Sequence, residues 1–176
     1  MIKLKVLSRE DAEQIRLWRN EYLDTLRTPF PLTKEQQSDW YNNVICNRQA
    51  NARWFGIWRH LPATDTHMEV DDFIGYTGIE NISWGNRQGE VSMLIGTEFQ
   101  GNGYSTETYK LILNYAFNEL NLDFVNGEVY CSNEKMVAID IKTVEKNGGE
   151  YVRLPKRKYL NGKYYDSLYV LFPRPA

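Results

Sequence analysis

The chain has 176 residues, enough for one domain with a sizeable hydrophobic core. Its hydrophobic fraction of 42% and charged fraction of 25% are typical of a folded soluble protein, and its net charge of -2 gives no reason to expect nucleic acid or an anionic membrane as a partner. Two cysteines are too few for a disulfide framework, and no apolar run resembles a signal peptide or reaches the ~20 residues that span a bilayer. We therefore expect a single cytoplasmic domain over residues 1–176.

The first quarter of the chain predicts a short strand and two helices. The opening residues alternate apolar and polar side chains, as a half-buried strand does. Ser8 is placed as the N-cap of a first helix, which apolar spacing continues to about Leu26 before Pro29 and Pro31 break it. Thr33 has the spacing of a second N-cap.

The middle of the chain predicts strands. Residues 53–58 are aromatic and apolar, as in a buried strand, and the polar segment 62–71 after them predicts a loop. Residues 73–82 and 88–96 also have strand patterns. The turn-forming residues 83–86 join these two strands, so we expect an antiparallel hairpin.

The last part of the chain returns to alternating helices and strands. Apolar spacing predicts a helix after Gly103, a strand over 124–131 and a second helix over 135–146. Strands over 151–159 and 164–172 flank an Asn-Gly turn and predict a hairpin. The order β-α-α-β-β-β-α-β-α-β-β predicts an α/β fold with one mixed sheet.

The turn before the Gly103 helix carries the main functional signal. Gly101 and Gly103 allow positive φ angles and a close approach of the backbone to a ligand. The first N–H groups of a helix lack internal partners and lie at the positive end of its dipole, so the turn predicts a phosphate or diphosphate site. A bare G-x-G more often only shapes a turn, and the sequence lacks the nucleoside-triphosphatase pattern G-x-x-x-x-G-K-[ST]. Thr106 stands where a dinucleotide fingerprint has its third glycine.

The pattern Gln100-x-x-Gly103-x-Ser105 resembles the CoA-binding motif of the GNAT superfamily of N-acetyltransferases, [Arg/Gln]-x-x-Gly-x-[Gly/Ala], with Ser105 as a small departure. Residues 104–107 are similar to the ribosomal-protein N-terminal acetyltransferase-like branch, as are Leu17-Trp18-Arg19-Asn20 and Leu32-Thr33-Lys34-Glu35. Residues 144–149 resemble the end of the family's last core helix. The resemblance implies the GNAT fold over the whole chain and acetyl-CoA as co-substrate, without a metal.

The resemblance also implies roles for single residues. Backbone groups of Met93, Leu94 and Ile95 would bond the pantetheine arm as an added strand would. The diphosphate would be held by the Thr106 side chain and by the backbone N–H groups of Gln100, Gly101, Asn102, Gly103, Tyr104 and Ser105. Asn133 resembles the family asparagine that contacts the pantetheine arm, although a plain helix N-cap explains it equally well.

Acetyl transfer to an amine needs a base, because an ammonium with a pKa near ~10 is not a nucleophile. Glu80 and Glu90, on the two strands before the glycine turn, are the candidates, and strand alternation should decide which one faces the pocket. A strand amide near Leu94 would polarise the thioester carbonyl. The family's proton-donating tyrosine corresponds to Val144 here, so that role is vacant or filled elsewhere.

The sequence leaves the acceptor open. The first two helices and the loop after Trp58 would build its pocket, with candidate walls at Trp18, Trp40, Tyr41 and Trp84. A small amine-bearing metabolite or an amino sugar is the preferred acceptor, followed by a protein N-terminus. A silent CoA-binding module and a glycine turn that binds nothing are the alternatives. His60 and His67 are expected in solvent, and no Cys/His cluster predicts a metal site. The terminal hairpin, if exposed, is a candidate surface for a homodimer.

Overall fold

A computed structural model describes residues 1–27, 30–63 and 69–175 of the chain. The helices in these ranges are α1 (Arg9–Glu21), α2 (Lys34–Trp40), α3 (Tyr104–Asn118) and α4 (Glu134–Lys146). The strands are β1 (Ile2–Lys5), β2 (Arg53–Leu61), β3 (Val70–Ser83), β4 (Gln88–Ile95), β5 (Phe124–Tyr130), β6 (Glu150–Leu160) and β7 (Lys163–Pro173). The predicted element order and the mixed α/β class are confirmed. Pro29 and His67 lie outside the described residues.

The helix starts agree with the prediction better than the first helix end does. Ser8 and Thr33 both form complete capping boxes, in which side chain and backbone exchange hydrogen bonds across the first turn. Helix α1 ends at Glu21 and not at the predicted Leu26, because the chain after it forms turns whose carbonyl groups bind Lys158 instead of continuing the helix. The segment 22–27 is therefore a loop.

The strands form one sheet in the order β1-β2-β3-β4-β5-β7-β6. Helices cover both faces of this sheet. On the α1/α2 face, Trp18 packs with Tyr76 and Leu94. On the opposite, α3/α4 face, Ile112 and Val144 belong to the largest buried cluster, and both are fully buried. Burying a side chain of this size stabilises the fold by about 1.5–3 kcal/mol, so packing on both faces fixes the sheet between two helical layers.

The sheet is opened between β4 and β5. These two strands are parallel and pair only at their starts, from Gln88 opposite Phe124 to Glu90 opposite Asn126. Beyond that point the described strands have no further pairing with each other, although β4 stays paired with β3 and β5 with β7. The second half of β4 therefore has an edge that pairs with no described strand, where only the Ile95 carbonyl has a side-chain partner, Gln100 Nε2, among the described residues.

The β2–β3 hairpin is longer than predicted. Strand β3 begins at Val70, inside the segment expected to be a loop, because Val70 and Asp71 pair with the end of β2. His60 is not free in solvent: its Nδ1 lies 2.9 Å from Asp71 Oδ1. Hydrogen bonds from Lys5 and His60 lower the pKa of Asp71 to about 2.

The β6–β7 hairpin forms as predicted. Asn161 and Gly162 both have positive φ, 50° and 77°, as the two central residues of a type I′ turn require. Strand β6 lies at the sheet edge and is exposed along most of its length, whereas Lys158 is buried. In the part of the chain described, no helix is long and apolar enough to cross a membrane.

Candidate active site

A cavity of about 840 Å³ opens where β4 and β5 diverge. Its size suits a ligand of several hundred daltons. Both layers contribute to its wall: α1, the segment 22–27 and α2 from one face, and α3 and α4 from the other. The free edge of β4 runs between them, so the cavity passes through the sheet.

The glycine turn at one end of this cavity has the backbone that an anion site needs. Gly101 and Gly103 have φ angles of 81° and 78°, which a side chain would strain. Among the described residues, the amides from Gly101 to Ser105 donate to no protein acceptor. Gly103 is the N-cap of α3 and supplies no side-chain cap, so these amides point outward at the positive end of the helix.

Two residues of the turn, Gln100 and Tyr104, are held by other parts of the protein. Both amide groups of Gln100 have partners: its side-chain Nε2 donates to Tyr22 Oη at 2.7 Å, and its backbone N–H donates to Thr97 O at 3.3 Å. The backbone N–H of Gln100 is therefore not free for a phosphate, contrary to the prediction. Tyr104 packs against the cluster around Ile57, away from the cavity.

Two further turn residues lie outside the cavity wall. The Asn102 side chain donates to the carbonyls of Phe99 and Gln100, both at 3.1 Å, and so supports the turn from within. Thr106 is exposed and does not line the cavity, so the structure gives no support to its predicted side-chain role.

Backbone direction along β4 separates Met93 and Ile95 from Leu94. Gly96 N donates to Ile74 O on β3 at 2.9 Å. Because hydrogen-bonding direction alternates along an antiparallel strand, Leu94 also directs its backbone groups toward β3. The predicted use of the Leu94 backbone is thus wrong. Met93 directs its N–H and C=O toward the gap, and Ile95 its N–H, where a ligand lying along the edge can reach them; the Ile95 carbonyl accepts a hydrogen bond from Gln100 Nε2 at 3.2 Å.

Asn133 is the N-cap of α4 and also lies on the cavity wall, where the predicted contact with a pantetheine arm would be made. Its side chain caps α4 by accepting a hydrogen bond from Met136 N at 3.2 Å. It also lines the cavity, together with Met136 on the same helix face.

The two candidate bases lie directly opposite each other on β3 and β4, so both point to the α1/α2 face. We expected strand alternation to decide which glutamate faces the pocket, but it does not separate Glu80 from Glu90. The two differ instead in their hydrogen-bond and ion-pair partners. Glu90 forms an ion pair with Arg27 and accepts from Asn81 Nδ2 at 3.0 Å. Glu80 lines the cavity and accepts a hydrogen bond from Ser92 Oγ, with no cationic partner in the described residues.

A third carboxylate, Glu128 on β5, lines the same side of the cavity and was not predicted. Burial raises the pKa of Glu128, but hydrogen bonds from Ser167 and Arg157 and the nearby charge of Arg27 outweigh this effect, so its pKa is lowered overall. Arg27 thus lies close to both Glu90 and Glu128. No sequence pattern marks Glu128, because only the closing of β5 against β7 brings it to the site.

A buried acid lies on the α3/α4 face. Asp140 on α4 is 3% exposed, and its Oδ1 accepts a hydrogen bond from Tyr109 Oη on α3 at 2.7 Å. Burial raises the pKa of Asp140 to about 7 despite this hydrogen bond. Both residues line the cavity, whereas Val144 is fully buried in the core and does not reach it.

The aromatic walls differ from the prediction. Trp40 lines the cavity as expected, together with the unpredicted Trp54. Trp18 is core, Tyr41 stacks under Arg9, and Trp84 lies in the β3–β4 turn.

Residues 64–68 of the loop predicted after Trp58 lie outside the described residues, and its described residues, 62–63 and 69–71, do not line the cavity; the segment 22–27 and Arg19 do. The Arg19 Nε is buried and has no hydrogen-bond partner among the described residues. Within the same residues, no group of three or more His, Cys, Asp or Glu side chains is arranged to hold a metal ion.

Residues 2–148 match the acetyltransferase (GNAT) domain family. The chain belongs to this family. Its fold is also that of a GNAT enzyme: a spermidine N-acetyltransferase from Vibrio cholerae, solved in complex with CoA and spermine, superposes with a TM-score of 0.77 at 21% identity over 98% of this chain and 95% of that one. The protein is thus a GNAT N-acetyltransferase.

Relatives of this chain are named for different acceptors. The Spermidine N(1)-acetyltransferase of Escherichia coli strain K12 is 31% identical over 171 residues, covering 95% of this chain and 83% of its own. The protein named "Putative ribosomal N-acetyltransferase YdaF" of Bacillus subtilis strain 168 is 24% identical over 172 residues, covering 85% of this chain and 90% of its own.

Proposed function

We propose that this GNAT enzyme transfers the acetyl group of acetyl-CoA to a primary amine of a small cationic metabolite, by direct attack within a ternary complex. The observation that carries the proposal is the construction of the cavity. An anion site lies at one end, a free strand edge runs along it, and carboxylates line the α1/α2 side.

The fit to CoA rests on backbone groups. The unpartnered amides from Gly101 to Ser105 would bind the diphosphate at the N-terminus of α3. The pantetheine arm would then follow the β4 edge, accepting from the Ile95 N–H and exchanging hydrogen bonds with Met93, and pass Asn133 on the opposite wall. This path brings the thioester to the level of Met93, whose amide is directed to polarise the carbonyl oxygen.

Glu80 is the proposed general base. Of the two cavity carboxylates on the α1/α2 side, Glu80 and Glu128, it is the one without a cationic partner in the described chain, and it accepts a hydrogen bond from Ser92, the neighbour of Met93. An amine entering from that face would lose its proton to Glu80, directly or through one water, and then attack the carbonyl carbon. Direct attack needs little more than this base and good positioning, because a thiolate with a pKa near ~8.5 is a fair leaving group.

The charge distribution favours a small acceptor with more than one positive charge. Glu80, Glu90 and Glu128 all lie on the α1/α2 side, where Arg27 pairs with Glu90 and lies near Glu128, which is paired with Arg157. A second ammonium of the acceptor would replace Arg27 there. The relationship to spermidine N-acetyltransferases makes spermidine the first compound to test, with amino sugars as the second class.

A protein N-terminus is the second candidate, and the observation that favours it is Arg19. Its buried Nε lines the cavity without a partner in the described residues, so it would suit an acceptor with an oxygen close to the amine, as the first peptide carbonyl of a protein is. The likeness to the ribosomal-type relative points the same way.

We also propose that residues 1–176 act as one cytoplasmic domain and that the exposed edge strand β6 pairs with a second copy. A spermidine N-acetyltransferase of Vibrio cholerae has been solved as a dodecamer. Sedimentation of the purified protein would test the pairing.

The deciding experiment measures free-thiol release from acetyl-CoA with spermidine, amino sugars and N-terminal peptides as acceptors. We expect the highest kcat/KM with the polyamine. Glu80→Gln should lower kcat about 10²–10⁴-fold, as loss of a general base does. Glu90→Gln is the matched control and should lower kcat far less, because Glu90 is paired with Arg27.

Three results would contradict the proposal in different ways. Turnover with peptides alone would favour the second candidate. CoA binding in calorimetry without turnover of any amine would mean a silent binder. Equal kinetic loss in both glutamate variants would remove Glu80 from the role of base.

A further inference from the structure

We propose that the Tyr109–Asp140 pair is the proton source for the departing CoA thiolate, with Asp140 as the donor and Tyr109 holding its carboxyl group in place. This inference rests on the proposed acetyl-CoA chemistry. It assigns a role to Asp140, a buried acid of the cavity that has no part in the proposed function above.

The position of the pair follows from the geometry of the two helices. Ser105 and Tyr109 are four residues apart on α3, so both face the cavity, and Tyr109 lies about 6 Å deeper than the anion site. A ligand arm that starts at the glycine turn and follows β4 reaches Met93 at a similar depth, since a strand rises about 3.3 Å per residue. The reacting carbon and sulfur would therefore lie at the level of Tyr109 and Asp140.

The two faces of the opened sheet then divide the proton transfers. Glu80 and Ser92 lie on the α1/α2 face, and Asp140 lies on the α3/α4 face. The ammonium would first pass one proton through Glu80 to solvent, and the neutral amine would then attack from the first side, with Glu80 taking the second nitrogen proton as the amide forms. The C–S bond would break toward the second side, with the electron pair going to sulfur and the Asp140 proton following it. Solvent protons entering through the cavity would recharge Asp140, and Glu80 would lose its proton to solvent.

The hydrogen bonds of Asp140 leave one of its carboxyl oxygens free to donate a proton. Tyr109 donates to Oδ1 of Asp140, and Oδ2 has no hydrogen-bond partner in the residues described. Asp140 lines the cavity, so Oδ2 is the oxygen left to carry a proton toward a ligand. The charged and titratable groups around Asp140 are few. Tyr109 faces it from α3, Lys135 lines the cavity from its own helix, and β5 contributes Glu128 on the far side of the strand.

The protonation state also suits a donor. Burial, the dominant effect, raises the pKa of Asp140 to about 7, so a substantial fraction of the carboxyl group is neutral near neutral pH. Burial together with the charge of Asp140 raises the pKa of Tyr109 well above its usual value, so Tyr109 remains a hydrogen-bond donor. Its hydrogen bond favours the ionised carboxylate, so removing it should raise the pKa of Asp140 further.

The test uses the full chain with acetyl-CoA and the best amine of the panel, from pH 5.5 to 9. Asp140→Asn keeps the shape of the side chain and can still accept the hydrogen bond from Tyr109 Oη, but it has no acidic proton. We expect its kcat to fall about 10–100-fold at pH 6, with CoA affinity by calorimetry within about 2-fold of wild type. The deficit should shrink above pH 8, where wild-type Asp140 has also lost its proton.

Tyr109→Phe supplies a readout that a purely structural pair would not give. It keeps the acid, so kcat should fall less than about 5-fold, and the alkaline limb of the pH profile should move to higher pH. This shift decides the question even where Asp140→Asn does not fold. Wild-type kcat in Asp140→Asn, a deficit that does not change with pH, or an unmoved limb in Tyr109→Phe would overturn the inference. Absence of wild-type turnover with every amine would instead refute the proposed function.

Discussion

The two sides of the cavity are built from different materials. At the glycine turn and along β4, the ligand-facing groups are backbone amides and carbonyls from one continuous stretch, Met93 to Ser105. On the α1/α2 side they are side chains from α1, the segment 22–27, β3 and β5. A backbone site suits a co-substrate that is the same in every turnover. A site of side chains allows the acceptor to differ between relatives that share the fold.

This difference predicts that substitutions on each side will affect different substrates. The largest effect is expected at the glycine turn. Gly103→Asp places a negative charge beside the proposed diphosphate, and repulsion of at least about 2 kcal/mol should weaken CoA binding about 30-fold or more in calorimetry. Asp tolerates positive φ, so the fold should survive.

Gly162→Asp is the matched control for that prediction. Gly162 has nearly the same φ, 77°, and lies in the β6–β7 turn, which does not line the cavity. It should bear the same backbone cost and leave CoA affinity unchanged. An equal loss of affinity in both variants would mean that strain, and not charge at the turn, is responsible.

The next effect concerns the acceptor side alone. Lys158 donates to Asp24 O at 2.6 Å and to Leu26 O at 2.8 Å, and so fixes the segment 22–27 over the cavity. Lys158→Met removes these bonds. The KM of the acceptor should rise about 10-fold, which corresponds to roughly 1.4 kcal/mol, whereas CoA affinity should stay within about 2-fold of wild type. Lys163→Met, in the same hairpin, should change neither value. A loss of CoA affinity in Lys158→Met would show that the two sides are coupled.

A smaller effect is expected from the ion pair between Arg27 and Glu90. Arg27 is half-exposed, so the pair contributes about 0–1 kcal/mol. Arg27→Gln should lower the KM of spermidine up to about 5-fold by freeing the carboxylates, with little change for an amine of single charge. Arg87→Gln, which breaks the exposed pair with Asp123 far from the cavity, is the control. A raised KM in Arg27→Gln would mean that Arg27 contacts the acceptor itself.

The last prediction concerns stability instead of substrate affinity, and it should distinguish the acids of the two sides. The pKa of Asp140 is raised to about 7 from 3.8, so its neutral form stabilises the native state at low pH. This contribution declines as pH rises from about 4 to 7, by at most about 1.4 kcal/mol per pH unit. The pKa of Glu128 is lowered, so its contribution is present above its unfolded pKa and is lost on acidification.

Urea unfolding of wild type, Asp140→Asn and Glu128→Gln at pH 5 and pH 7.5 measures this contrast. The stability of wild type relative to Asp140→Asn should fall between these pH values, and its stability relative to Glu128→Gln should not. The same slope in both comparisons would contradict the opposite shifts of the two acids.

The local features of the protein could be predicted from the order of its residues. The caps at Ser8 and Thr33, the Asn-Gly hairpin and the glycine turn depend on residues a few positions apart, so their physical causes can be read along the chain. The element order and the GNAT motif follow from the same local patterns.

The contacts between distant segments could not be predicted in this way, because they depend on how the elements pack. Alternation along one strand did not separate Glu80 from Glu90, because the two lie opposite each other and their partners come from elsewhere. Counting along the last helix led to Val144, whereas packing of α4 on α3 presents Asp140 to the cavity. Charge pairing, burial and the divergence of β4 from β5 are properties of the packed chain, and they set which side chains reach the ligand.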